Sequence, residues 1–126
     1  MKREREKHIT RLHLILVGLV LTIGIITLIV VNVRKNNKIA RYKELEKNLK
    51  IATKYYFKNN KLEVNKGERK IIKMKTIIEN GYLQDELTNP CDGYTVISNY
   101  KINGEYKLEY EAYIKCGNSY KTYGYE

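Results

Sequence analysis

Tryptophan is absent from this 126-residue chain, and proline and phenylalanine occur once each. Cysteine and histidine are nearly as scarce, with two of each. One proline excludes a collagenous or proline-rich linker chain, and two cysteines are too few to staple a secreted miniprotein. Both histidines, His8 and His13, lie at or before the start of a long apolar run, so neither is placed to serve Cys91 or Ser98 as a base. There is no phosphate-binding loop, no dinucleotide fingerprint, no Cys-x-x-Cys pair and no histidine-rich metal set. The chain is expected to be no enzyme and to need no cofactor or metal. Asp85, Glu86 and Asp92 read as solvated turn carboxylates in preference to a weak cation site.

What the chain has in quantity is a charge-free apolar stretch. Between Arg11 and Arg34 the 22 residues from Leu12 to Val33 contain no Asp, Glu, Lys or Arg. As a helix they reach roughly 33 Å, matching a hydrocarbon core of about 30 Å. The run is too long for an ordinary signal-peptide core, and no small-x-small cleavage site follows it, so a signal anchor that stays uncleaved is expected. Residues 1–11 then form a basic cytoplasmic segment, 12–33 the single transmembrane span, and 34–126 an extracellular domain. Gly18 and Thr22 could bring two such helices together, but a pair of this kind is common by chance. His13 reads as an interfacial side chain.

Lysine and arginine flank the span on both sides, five before it and seven from residue 34 to 50. That count slightly favours a cytoplasmic C-terminus. The length of the C-terminal segment and its cysteines favour the opposite, and the expected orientation is N-terminus in, C-terminus out. Beyond the span, residues 34–75 hold fifteen Lys and Arg against four Glu, whereas residues 76–126 hold four Lys against eight acidic residues. The basic segment reads first as a solvated face. Within it Arg34, Lys35, Lys38, Arg41 and Lys43, next to the span, are the candidates for binding the membrane surface, at about 1 kcal/mol per basic side chain. An inverted protein whose segment 34–75 meets nucleic acid or anionic lipid in the cytoplasm is the alternative, but no nucleic-acid partner is expected.

Apolar residues Ile39, Tyr42, Leu45, Leu49, Ala52 and Tyr56 are spaced 3, 3, 4, 3 and 4, a helical stripe. No Pro or Gly interrupts residues 25–66, so the span is expected to continue into an amphipathic helix over 34–60, a rod of roughly 70 Å. Ile71, Ile72, Met74, Ile77 and Ile78 predict a second helix over 68–80, capped by Gly81, with Tyr82 and Leu83 supplying the apolar contact after the cap. Asn89-Pro90 opens a turn.

Tyr94–Ile102 and Glu105–Cys116 read as two strands around Asn103-Gly104, within an antiparallel sheet over 91–125. In the second strand Tyr106, Leu108, Tyr110, Ala112, Ile114 and Cys116 share one face; in the first Tyr94, Val96, Tyr100 and Ile102 share one. A two-residue turn sets Cys91 opposite Cys116 but pairs Val96 with Glu111 and Tyr100 with Lys107. A three-residue turn with a bulge at Gly104 pairs Val96 with Tyr110 and Tyr100 with Tyr106, and is the expected register. The offset cysteines are then joined by a further irregularity at Cys91-Asp92-Gly93, in a disulfide worth about 3.5 kcal/mol. The fold class is α+β: the membrane helix and its amphipathic continuation, a short second helix, and a small antiparallel sheet with a disulfide. Eight of the twelve tyrosines fall between Tyr94 and Tyr125, as in a binding face or a one-layer sheet.

Three stretches make the chain resemble type IV pilin-like and pseudopilin-like proteins, especially small membrane-anchored members from Gram-positive bacteria. They are Thr76-Ile77-Ile78-Glu79-Asn80-Gly81-Tyr82-Leu83, Asn89-Pro90-Cys91-Asp92-Gly93-Tyr94 and Tyr113-Ile114-Lys115-Cys116-Gly117, with Tyr123-Gly124-Tyr125 at the end. The resemblance covers about residues 38–126. It implies a non-catalytic structural or interaction module accessory to a surface appendage or secretion machine, with pilin-like subunits or cell-surface proteins as partners besides the membrane. The N-terminus departs from that family, having neither the Gly-Phe-Thr-type peptidase site nor a glutamate early in the apolar helix. An anchored, unprocessed relative is expected.

Overall fold

Helix α1 takes up Lys2–Asn59, with β1 at Arg69–Lys73, α2 at Met74–Glu79, β2 at Cys91–Ile102, β3 at Glu105–Cys116 and β4 at Tyr120–Lys121 following it. These elements come from a computed structural model that describes residues 1–84 and 90–126. Asn89 of the expected turn, and Asp85 and Glu86 of the carboxylate group, lie outside the described residues. The chain divides within α1 into two units, Met1–Lys38 and Ile39–Glu126.

No residue of the first unit is buried. From Leu12 to Val33 its large apolar side chains are between 43% and 72% exposed. Thr22 and Thr27 donate their hydroxyls back to the carbonyl oxygens of Leu19 and Ile23, both at 2.8 Å, so neither is left unsatisfied along the apolar run. The helix is long and apolar enough to cross a membrane.

The second unit has a core of its own. Leu45, Leu49 and Ala52 of the expected stripe are buried, with Ile39, Tyr42 and Tyr56 half-buried beside them. Thr53 and Phe57 join them, a quarter-turn from the stripe. These residues pack with Ile72, Met74, Ile77, Ile97, Ile114 and Cys116. Burying one side chain as completely as Leu49, which is 0% exposed, contributes about 2 to 3 kcal/mol. The sheet is antiparallel throughout, in the order β1-β2-β3-β4.

The structure corrects the second helix. Residues Arg69–Lys73 form strand β1, paired with Ser98 back to Tyr94, and only Met74–Glu79 is helical. Alternation in β1 turns Ile72 into the core and leaves Ile71 60% exposed. The sequence Ile71, Ile72, Met74, Ile77, Ile78 fits one helix or a strand leading into a helix equally well, and the free edge of β2 selects the strand. The end of α2 follows expectation. Gly81, at φ +78°, donates to Ile78, while Tyr82 donates to Ile77, a Schellman cap with Tyr82 and Leu83 half-buried after it.

The structure also corrects the hairpin register. Ile102 pairs with Glu105 and Cys91 with Cys116, so Asn103-Gly104 is a two-residue turn with no bulge. Both turn residues have positive φ, +50° and +88°, as a turn matched to the twist of the strands requires. The error lay in the buried face of β2. Gly93, Thr95 and Ile97 face the core, whereas Tyr94, Val96 and Tyr100 face away. Val96 therefore does oppose Glu111, and Tyr100 Lys107, across the outer face. Gly93 permits the close pairing: a Cβ there would meet the Tyr113 carbonyl oxygen at 2.6 Å.

Candidate functional site

Direct opposition of Cys91 and Cys116 brings their Cα atoms to 4.0 Å, and the two are joined in a disulfide. Among the described residues no cysteine is free. The bond ties the start of β2 to the end of β3, beside the short strand β4. There Glu46 of α1 accepts hydrogen bonds from the Tyr120 hydroxyl at 2.8 Å and the Thr122 hydroxyl at 2.7 Å. The Tyr42 and Tyr120 rings meet with centroids 5.6 Å apart. Burial, and then the bond to the Glu46 carboxylate, push the Tyr120 phenol up to about 12. This corner fastens β4 to α1.

Deeper in the core, Thr53 and Thr95 are both 0% exposed and their hydroxyl oxygens lie 2.9 Å apart. Thr53 gives its proton to the Leu49 carbonyl, so Thr95 is the donor in the pair. Every buried side-chain polar atom among the described residues has a partner.

Two surfaces of the second unit remain uncovered among the described residues. The first is the outer face of the sheet. Tyr94 stacks on Tyr113 with centroids 5.3 Å apart, and Tyr125 leans on Tyr94 at the same separation. The backbone N–H of Glu126 donates to the Tyr94 hydroxyl, and Tyr113 donates to Glu111. That bond, with burial, raises the Tyr113 phenol. Tyr94 and Tyr113, together with Arg69, Ile71, Val96 and Tyr100, line a shallow groove of about 490 Å³. The eight late tyrosines are thus divided. Tyr94, Tyr113 and Tyr125 form the outer cluster, while Tyr110 is buried against Phe57 on the inner side.

The second surface is the free edge of β3. Because Ile102 and Glu105 close the hairpin as a hydrogen-bonded pair, Tyr106, Leu108, Tyr110 and Ala112 turn their backbone N–H and C=O groups away from β2. β4 pairs only with Lys115 and Cys116, and Thr122 takes Ile114. Among the described residues nothing pairs with the edge from Tyr106 to Ala112. Alongside it runs one flank of α1 bearing exposed Lys43, Lys47, Lys50, Lys54 and Lys58, with Lys61 just beyond the helix end. Lys43, Lys47 and Lys50 border a hollow of about 420 Å³ with Tyr110 to Tyr113. Lys54, Lys58 and Lys61 rim a larger groove of about 740 Å³ floored by Ile51, Phe57, Leu62 and Leu108.

The five residues singled out for the membrane surface are all exposed on α1, with Arg34, Lys35 and Lys38 in the first unit and Arg41 and Lys43 in the second. Asp92 accepts from the N–H of Gly93 at 2.8 Å. Among the described residues no group of three or more His, Cys, Asp and Glu side chains gathers to hold a metal ion. Sequence reasoning missed Thr53 and Thr95, the Glu46 corner and the open β3 edge. Only the lysine row had a readable signal, its spacing of 4, 3, 4, 4 and 3. Comparison with protein-family models, with curated proteins and with solved structures finds no match, so the pilin-like resemblance rests on the residue patterns alone.

Proposed function

We propose that this chain is a non-catalytic interaction module held at the cell membrane by one span, with its N-terminus in the cytoplasm and residues 34–126 outside. One contrast carries this reading: an apolar run with no cover from its own chain is joined to a unit that has its own core and a disulfide. Exposed side chains from Leu12 to Val33 are stable in lipid and unstable in water. A disulfide persists in an oxidising compartment and is rare in the cytosol. The basic residues Arg34, Lys35, Lys38, Arg41 and Lys43 are suited to anionic headgroups at the outer surface. In keeping with the pilin-like resemblance, the module acts by contact with other subunits or surface proteins, as an accessory to an appendage or secretion machine.

Reporter fusions test the orientation. Alkaline phosphatase, active only where disulfides form, should be active when fused after Glu126 and inactive when fused before Met1. The reverse pattern would place segment 34–75 in the cytoplasm and remove this reading.

A further inference from the structure

We propose that the open edge of β3, from Tyr106 to Ala112, is a docking site for an acidic, extended segment of a partner protein, which adds to the sheet as a further strand. This deepens the interaction-module reading by giving the partner's chemistry, and depends on it only for the side of the membrane on which the partner is met. An unpaired strand edge offers alternating donors and acceptors, and adding a strand is the standard way of satisfying them. Tyr106, Leu108, Tyr110 and Ala112 turn these groups outward, and among the described residues nothing takes them up.

Charge selects the occupant. An incoming residue that bonds to this edge points its side chain to the same side as Leu108 and Tyr110, towards the lysine-bearing flank of α1. Lys47, Lys50 and Lys54 are exposed, and none has a carboxylate partner in an ion pair, the one such pair among the described residues being Lys75–Glu79. Lys54 rests 5.5 Å from the Tyr110 ring centroid, directly over the inner side of the edge. Two carboxylates also belong to this region. Glu46 is engaged by Tyr120 and Thr122, and Glu111 lies on the outer face, where it accepts from Tyr113. The inner side of the edge is therefore net positive. A second copy of this chain fits poorly, because two β3 edges joined antiparallel would put both α1 helices on one face with lysine row against lysine row. A folded acidic surface meets the lysines but cannot reach the backbone groups. An extended acidic segment satisfies both.

The test uses the full chain in detergent micelles, where sidedness plays no part, so a failure here is distinct from a failure of the orientation experiment. Fluorescence anisotropy is read with a short labelled peptide of alternating glutamate and valine. Two N-methylated versions keep its side chains and charge. Methylation at every glutamate removes the donors that face β3 and should weaken binding more than about tenfold, while methylation at every valine should change it little. The variant Lys47→Glu/Lys50→Glu/Lys54→Glu, altered only at exposed positions and checked by an unchanged melt, should also weaken binding more than about tenfold. Equal binding of all three peptides would reduce the effect to charge and overturn the proposal, as would no binding at all or indifference to the lysine reversal. A free chain that sediments as a dimer broken by Leu108→Pro would give the edge to a second copy, and would overturn it too.

Discussion

Met1–Lys38 and Ile39–Glu126 meet the same hydrophobic requirement in opposite ways. The first unit buries none of its residues, and its apolar side chains face outward along the whole of Leu12 to Val33. The second buries Leu49, Ile77, Ile97 and Ile114 completely and closes its sheet with a disulfide. Intrahelical hydrogen bonds satisfy the backbone of the first unit, and its surface is long and apolar enough to be met by lipid. Packing satisfies the second within its own chain. A mutation in each unit should therefore be read by a different assay.

A charge at the centre of each unit gives the largest effect. Leu49→Asp puts a carboxylate at a fully buried position and should cost about 4 kcal/mol or more, abolishing the cooperative melt of the full chain in micelles. Leu19→Asp, at a position 56% exposed, should leave that melt intact and instead lower the membrane-inserted fraction, by about 2.5 to 3.5 kcal/mol at the middle of a span. A wild-type melt for Leu49→Asp would mean that the α1 stripe is not the core. Reducing Cys91–Cys116 should lower unfolding free energy by about 3.5 kcal/mol while far-UV circular dichroism stays the same.

Smaller effects probe the polar contacts inside the second unit. Thr53→Val and Thr95→Val should each cost about 1 to 2 kcal/mol, and the double variant less than the sum, because once Thr53 is gone the Thr95 hydroxyl has lost its acceptor and removing it costs little more. Alkali addresses Tyr120. Its phenol titrates at about 12 in the folded chain against 10.0 when free, so the unfolded chain loses that proton first and stability should fall as pH rises from 10 to 12. Thermal melts across this range should show the fall, and Tyr120→Phe should flatten it.

The α1 stripe and the Gly81 cap were legible because each writes its geometry into spacing: a 3.6-residue repeat for one, a glycine after the last apolar turn for the other. Strand β1 was not, since Ile71, Ile72 and Met74 satisfy two periodicities and the choice belongs to β2, more than twenty residues away. Register failed for a related reason. β2 is apolar on both faces, and its buried positions hold Gly93 and Thr95, which are small where α1 and β3 come close, whereas the larger Tyr94 and Val96 face outward. The disulfide was read correctly from sequence even though the favoured register missed it. At the β3 edge, the lysines are visible in sequence but the missing neighbour is not, because an unpaired strand is a property of the whole sheet.

Thiol labelling of intact cells tests the contrast between the two units most directly. A membrane-impermeant maleimide should label the half-buried Cys91 only after a reductant is added, with no need to permeabilise, if the second unit lies outside with its disulfide formed. Labelling that requires permeabilisation and no reductant would contradict both the outward placement of residues 34–126 and the bond that closes their sheet.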